Sequence, residues 1–402
     1  MKLFVQQGYG KGNKIHQALD NGAVDGVILS PRDDTEDNLR LFRKDLIDNY
    51  PTAETLLDPQ FYYTLYMDGT TKNLTNYSYY PGHLTMSAFR SIRDIQKYAE
   101  DAINFQLSMG ADYILSPTLL INSFSDRQTQ ICMSLAEESN NVMKTNGHAK
   151  PLLTSLVFSE SALNETDRLN EFLNEISVLD LEGFYITVAR NNKDYNQNFD
   201  SDLALANLLY FIYSLSEINE FKVVVGYADI IGLLYLGVGA YGIGTGWHNS
   251  SRKFTVQQRI LPSTGGRLPR ERYNSIPLLN SILVSELDSI ASNTPSGIFQ
   301  SVLSNTVEDK IILAGSNPSD AWSRAMSHQQ HWSAIKKASI DIFKGSKDIS
   351  TRLDHLENAI TNAMSLYTLM ERYAVQLERA SSRVHLNTWQ SAIRLFRGIA
   401  NV

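Results

Sequence analysis

The chain predicts an α/β fold, a (β/α)8 barrel of the TIM type followed by an all-helical C-terminal region. Three observations carry that expectation. Apolar strand-like runs alternate with helical segments of three-and-four spacing through the first 250 or so residues, a pattern that calls for a parallel sheet covered by helices. The stretch from Phe221 to Lys253 reads strand, short apolar helix, strand, with the near absence of polar residues typical of parallel strands buried on both faces. The length, 402 residues, suits one barrel of about 250 residues plus an appendage.

Taken in order, the expected strands are Leu3–Gln6, Val24–Leu29, Phe61–Met67, Asp112–Leu115, Leu152–Phe158, Gly183–Val188, Phe221–Gly226 and Ala240–Thr245. Helical segments at Lys14–Asp20, Asp37–Asp48, Met86–Met109, Arg127–Lys144, Asn164–Val178, Leu203–Ser216 and Ile230–Gly237 separate most of them. The phrases Gly22–Pro31, Gly110–Pro117 and Gly237–Gly246 share one plan, small residues then an apolar run then small or rigid residues, as repeated helix-end-to-strand junctions would. Beyond Asn274 only helical spacing remains. Leu353, Leu356, Ile360, Ala363, Tyr367, Met370, Ala374 and Leu377 form a heptad seam, and Trp389, Ile393 and Phe396 extend an apolar stripe to the end. The seam packs either inside the chain or as a homodimer through the C-terminal helices. With Pro262, Pro269, Pro277 and Gly265–Gly266 as punctuation, the domains read as barrel 1–250, basic linker 251–277 and helical domain 278–402.

Composition narrows the class. A single cysteine, Cys132, excludes a disulfide framework and a Cys-rich zinc site and fits a reducing cytoplasm. The N-terminal MKLFVQQGYGKG lacks the apolar core of a secretory signal, so a soluble, cytoplasmic protein is expected. Residues 1–249 carry 18 Lys and Arg against 31 Asp and Glu, and 250–402 carry 18 against 12, so the net charge of −7 is the balance of −13 and +6. Arg252, Lys253, Arg259, Arg267, Arg270 and Arg272 face only Glu271 in sequence. A basic segment leaving an acidic barrel suits a phosphate backbone, and a solvated loop is the plainer reading.

In a barrel the residues just past each strand form the functional mouth. Asp68, after the expected third strand, is the leading candidate for chemistry, against the reading of Asp68-Gly69 as a simple turn. Glu160, Asp34 and Asp33 come next, with helix capping the alternative for the last two. Two carboxylates across a mouth suit glycosidic cleavage, one serving the cationic sugar and one handling a proton. Arg32, Arg190, Tyr227, Asp229 and His248 complete the expected substrate-binding set, and Tyr79, Tyr80 and Trp247 are stacking candidates for bases unless they only pack a long loop. GYGKG (Gly8–Gly12) lacks P-loop spacing. His328-x-x-His331 has no carboxylate or cysteine beside it, so no metal is expected, nor any cofactor.

With strands and mouth loops so placed, the chain resembles the tRNA-guanine transglycosylase-like barrels over about residues 1–255, and within them the divergent DNA-acting branch of 7-deazaguanine-inserting enzymes and antiviral DNA glycosylases. The resemblance lies in YMDG (Tyr66–Gly69), at the place of the family's essential aspartate after its third strand, in GADYILSP (Gly110–Pro117), in LLTSLVFSES (Leu152–Ser161), and in VVVGYAD, GVGAYGIGTG and NSSRKF near the end of the barrel. It implies a glycosylase on nucleic acid, DNA before RNA, that flips out a modified base, with a role in phage defence. The family's eighth-strand nucleophilic aspartate would fall near Gly242, and its three-cysteine, one-histidine zinc site is missing. Hydrolysis is therefore expected over base exchange. Two other readings stand beside it: a barrel enzyme on a phosphorylated small molecule or flavin, using YGIGTG (Tyr241–Gly246), and a catalytically inactive nucleic-acid-binding barrel.

Overall fold

The computed structural model describes residues 1–66, 71–192, 194–255, 270–315, 317–346 and 348–402. Nine parallel strands build the barrel: β1 (Lys2–Gln6), β2 (Gly26–Leu29), β3 (Glu54–Leu57), β4 (Ile114–Leu115), β5 (Leu120–Ile121), β6 (Leu152–Ser159), β7 (Gly183–Ala189), β8 (Lys222–Val225) and β9 (Gly242–Thr245). Their order is β3-β2-β1-β9-β8-β7-β6-β4, with β5 also on β6. β4 and β5 pair with successive stretches of β6, at Leu152–Leu153 and Val157–Phe158, so together they make one interrupted stave and the ring has eight. A parallel bridge from Leu56 to Tyr113 closes it.

Seven staves lie where the apolar runs put them. The third does not. Phe61–Tyr63 is a single 3-10 turn, and the strand is the short ETLL segment Glu54–Leu57 upstream. The aromatic run is strand-like in composition, yet Phe61, Tyr62 and Tyr63 are buried as a packed corner behind the mouth. Inside the ring, Phe4, Ile28, Leu56, Tyr113, Leu115, Leu153, Tyr185 and Val224 form their own apolar cluster. Polar groups close its lower end: Tyr241 donates to Glu54 at 2.7 Å and Lys222 Nζ to the Tyr113 hydroxyl at 2.9 Å.

Helices α1 (Lys14–Asp20), α2 (Glu36–Asn49), α3 (Ile92–Ser108), α4 (Arg127–Thr145), α5 (Thr166–Ile176), α6 (Asp202–Tyr213) and α7 (Gly232–Gly237) cover the outside. A short turn of helix, α8 (Asn249–Arg252), follows β9. The C-terminal region is helical, with one addition: β10 (Arg272–Ser275) and β11 (Asn280–Leu283) form an antiparallel hairpin. Its helices are α9 (Val284–Asn293), α10 (Ser296–Ser301), α11 (Asp309–Ala314), α12 (Pro318–Ala321), α13 (Arg324–Asp341), α14 (Ile349–Arg372) and α15 (Val384–Ala400). Among the described residues no helix is long and apolar enough to cross a membrane.

The C-terminal region completes the barrel. α13 packs between α1 and α7, the place of a barrel's eighth helix, and Trp332 on it donates to the Thr245 carbonyl of β9 at 2.9 Å. That docking explains why α7 is apolar all round: the sheet covers one side and C-terminal helices the other. α15 covers α6, with Phe396 edge-on to Tyr213 at 5.6 Å. In the heptad seam Leu353, Leu356, Ile360, Ala363, Tyr367 and Met370 are all buried inside this chain, while Ala374 and Leu377 lie past the end of α14. These six seam residues are thus packed within the chain, the first of the two packings weighed from the sequence.

Trp332 is fully buried and bonded to the barrel. Trp332→Ala is expected to destabilise the protein by about 3–5 kcal/mol, read as a lowered urea midpoint. An unchanged midpoint would show that α13 does not hold the barrel.

Candidate active site at the barrel mouth

Three groups of side chains meet where the strands end. The first gathers around Asp58, the residue directly after β3, which is 1% exposed. Its Oδ1 accepts from the Gln60 amide at 2.9 Å and its Oδ2 from the Tyr62 hydroxyl at 3.0 Å. Gln60 Nε2 donates to Ser30 Oγ at 2.9 Å and to the Tyr227 hydroxyl at 3.4 Å, and Gln60 Oε1 accepts from the Arg32 amide at 2.9 Å. Ser30 Oγ donates to Asp33 at 3.0 Å, and Asp33 also pairs with Arg32 at 3.3 Å and Lys72 at 3.2 Å. Two buried carboxylates are therefore joined through one glutamine and one serine. Asp34 sits further out, ion-paired with Lys11 and accepting from Gln7 at 3.2 Å. Neither aspartate caps α2, because Thr35 does so.

Gln60 and Tyr227 share an unusual backbone, each with φ of 52°. Side chains of this size adopt the left-handed region only where their surroundings impose it, and such strain gathers at functional sites. The Tyr227 ring stands edge-on to Phe254 at 5.2 Å, and Tyr62 meets the same phenylalanine at 5.4 Å. Gln6, at the end of β1 and fully buried, accepts from the Tyr185 hydroxyl at 3.2 Å, while its Nε2 has no partner among the described residues.

The second group lies beyond β6, β7 and β8. Glu160 accepts from Arg190 Nε at 3.0 Å, the Asn191 amide at 3.1 Å and the Asp200 amide at 2.6 Å. It is 1% exposed, and its position is that of a clasp for the loop after β7. Arg190 stacks on Phe199 with 3.5 Å from the guanidinium to the ring centre. Asp229 accepts from Gln197 at 2.9 Å and from the Ile230 amide at 2.8 Å. Burial pushes its carboxyl above the usual range, against the pull of Arg252. Lys253 Nζ donates to Asn192 at 2.7 Å and to the carbonyls of Asp194 and Asn196 at 3.2 and 3.3 Å. Burial, with Arg190 adding, draws its ammonium down to about 7. Arg190, Gln197, Asp229, Arg252 and Lys253 line a crevice of about 20 Å³, room for one water, so a base enters there only if the crevice opens.

The third group is the basic run, and it corrects an expectation. Arg252 is buried, donating to the Gly246 carbonyl at 2.7 Å and the Tyr195 hydroxyl at 2.9 Å. Arg272 is buried against Ser281 and Glu378, and Lys253 is committed as above. Only Arg270 is largely exposed, and it pairs with Glu378. Arg252, Lys253 and Arg272 are thus engaged inside the fold rather than laid along the surface. Arg259, Arg267 and Asp68 lie outside the described residues.

Other expectations change too. Tyr79 and Tyr80 are 2% and 6% exposed; Tyr79 packs on Phe105 at 4.6 Å and donates to the Pro59 carbonyl at 2.9 Å, so neither ring is an open stacking platform. Trp247 is likewise a buried wall, donating to the Tyr9 carbonyl at 3.1 Å, and half-buried His248 faces it. His331 uses both ring nitrogens, on Thr245 at 2.8 Å and Asn274 at 3.1 Å, and so ties α13 to β9 and β10. The Gly246 amide is spent on the Ser251 carbonyl at 3.0 Å, against a phosphate grip by YGIGTG.

Asp58, Gln60 and Lys72 were not singled out by sequence reasoning, whereas Ser30 falls at the mouth end of the expected second strand. Once ETLL is taken as the strand, Asp58-Pro59 is its mouth residue, and that was the one signal that could have found it. Tyr9 was missed as well. It is 71% exposed on the loop after β1, with Lys72 Nζ 5.7 Å from its ring centre, Lys11 on the same loop and Lys14 at the start of α1. No family model matches the chain, and no curated protein is detectably similar to it in sequence.

Burial places the site's histidines low: His328 is drawn down to about 3, and His331 also falls well below its ordinary value, with Arg252 contributing to both. The native state thus favours their neutral forms, so stability is full above the unfolded value near 6.5 and is lost as pH falls toward the folded values. Each contributes about 1.4 kcal/mol per pH unit within that window. Urea unfolding between pH 7 and 5 should show this loss, and His328→Gln should flatten the slope by about that amount. A slope unchanged by the substitution would contradict the assignment.

Proposed function

We propose that this protein is a hydrolase of N-glycosidic bonds in nucleic acid, DNA before RNA, that removes a modified base, with Asp58 as the carboxylate facing the sugar. The observation that carries the reading is the position and bonding of Asp58. It follows the third stave, is buried, and is tied through Gln60 and Ser30 to a second carboxylate, Asp33, and to the strained Tyr227. The tRNA-guanine transglycosylase-like barrels that the chain resembles keep an essential aspartate after the third strand. With the strand at Glu54–Leu57, the resemblance would assign that role to Asp58 rather than Asp68.

The chemistry asks for little more. As the base departs with its bonding electrons the sugar becomes cationic, and a carboxylate at van der Waals distance stabilises it. A water then adds to the sugar and gives up a proton to a carboxylate. Asp58 and Asp33 divide these tasks, and Tyr62, Tyr227 and Phe254 supply aromatic walls. Gln6 Nε2 offers a hydrogen-bond donor to the edge of the base. Covalent exchange has no support from β9: a side chain at Gly242 would meet Phe4 at 2.7 Å, and one at Gly244 would meet Ile28 at 2.5 Å. At the rim, Tyr9 among Lys11, Lys14 and Lys72 combines a stacking face with cations, the pairing used to hold single strands.

The test is incubation with plain and modified phage DNA, followed by mass spectrometry for freed base and alkali treatment for abasic sites. Asp58→Asn should lower base release by about a hundredfold or more with an unchanged circular dichroism spectrum. Tyr9→Ala should weaken DNA binding about fivefold to a hundredfold. Base release that survives Asp58→Asn would overturn the assignment of Asp58, and absence of release from every DNA would overturn the function.

A further inference from the structure

Between the loop after β9 and the first turn of α13 lies a second cavity, of about 50 Å³, separate from the Asp58 network. Its lining includes Arg252, Arg270, Arg272, Arg324, His248 and His328. Four guanidiniums converge there. The carboxylates among them are Glu271, paired with Arg324 at 3.3 Å, and Glu378, which holds Arg270 and Arg272. Two of the arginines are braced from behind by one tyrosine: the Tyr195 hydroxyl accepts from Arg252 at 2.9 Å, and the Arg272 guanidinium lies 4.4 Å from its ring centre.

His328 makes the cavity more than a charged surface. It is 6% exposed and lines the space, yet its Nδ1 has no hydrogen-bond partner among the described residues. A buried polar nitrogen without a partner is costly and rare in native proteins. The cations Arg252, Lys14 and Arg324 and the His248 ring surround it, so what is missing is negative charge. The cavity also opens at the amino end of α13, an 18-residue helix, where the backbone dipole favours an anion.

We infer that this cavity binds a phosphoryl group, gripped by the arginines and by His328 as a hydrogen-bond donor. A phosphoryl oxygen fits because planar guanidiniums match it in pairs, and because barrels commonly bind phosphate beside the loops after their last two strands. The group is either a phosphodiester of a nucleic-acid strand or the terminal phosphate of a small molecule. The inference holds whether or not the barrel cleaves glycosidic bonds. It also gives the basic run a role that a surface rail did not: Arg252 and Arg272 turn inward to build a pocket, with the exposed Arg270 at its edge.

The experiment follows histidine side-chain resonances of the full chain by NMR at pH 6 during titration with inorganic phosphate, and then with a short abasic single-stranded oligonucleotide. Phosphate should shift the His328 signals and raise its pKa by about one unit or more. His328→Gln and, separately, the more exposed Arg324→Gln should each weaken phosphate binding about tenfold. If the oligonucleotide displaces phosphate, the natural ligand is a phosphodiester. If phosphate binds and the oligonucleotide does not compete, it is a small phosphorylated molecule. Either result supports the site. No response of His328 to either probe, or phosphate affinity unchanged in both variants, would overturn it.

Discussion

The barrel depends on one thin seam. Between β3 and β4 the ladder shrinks to the single Leu56–Tyr113 bridge, and a side chain takes over the missing pairing. The Asp112 carboxylate accepts from the Thr55 amide at 3.0 Å and from Arg43 at 3.2 Å, while the Thr55 carbonyl accepts from the Asp112 amide at 2.9 Å. An unpaired strand edge would otherwise leave backbone groups exposed and the ring open. Asp58 is the next residue but two along the chain from Thr55, so the clasp at Asp112 also sets the height at which the Asp58 carboxylate meets Gln60 and Tyr62.

A second dependence runs across the chain. The eighth helix is supplied by α13, some eighty residues after β9, and its His331 and Trp332 both bond Thr245 at the end of that strand. Of the described residues between β9 and α13, Arg252 and Arg272 are buried against the barrel mouth and the C-terminal region. The same helix thereby seals the barrel wall and forms one side of the basic cavity. Stability and binding are coupled here: what anchors α13 also positions Arg324 and His328.

Much of the fold was legible because parallel strands buried on both faces leave continuous apolar runs, and seven staves announce themselves that way. The third failed for a physical reason. ETLL is only four residues long and begins with a glutamate that turns to the lower end of the barrel to meet Tyr241 and Lys2. The richer run FYYTLYM draws attention by its aromatic content, which serves a packed corner instead. That error moved the expected aspartate ten residues downstream. The basic run misled differently. Local sequence shows six cations beside one glutamate, but Glu378 lies 106 residues from Arg272, and long-range pairing of that kind leaves no local trace. The heptad seam was readable as a buried face, and its packing within the same chain was one of the two arrangements its spacing allowed.

The claim at the centre is that the Asp58 carboxylate faces the sugar whose bond is broken. The most direct measurement is a crystal structure of the protein with an oligonucleotide carrying an abasic site. The account predicts the anomeric carbon of that sugar within about 3.5 Å of the Asp58 carboxylate, or one water away. A sugar seated against Glu160 or Asp68 instead, with Asp58 still enclosed by Gln60 and Tyr62, would contradict it.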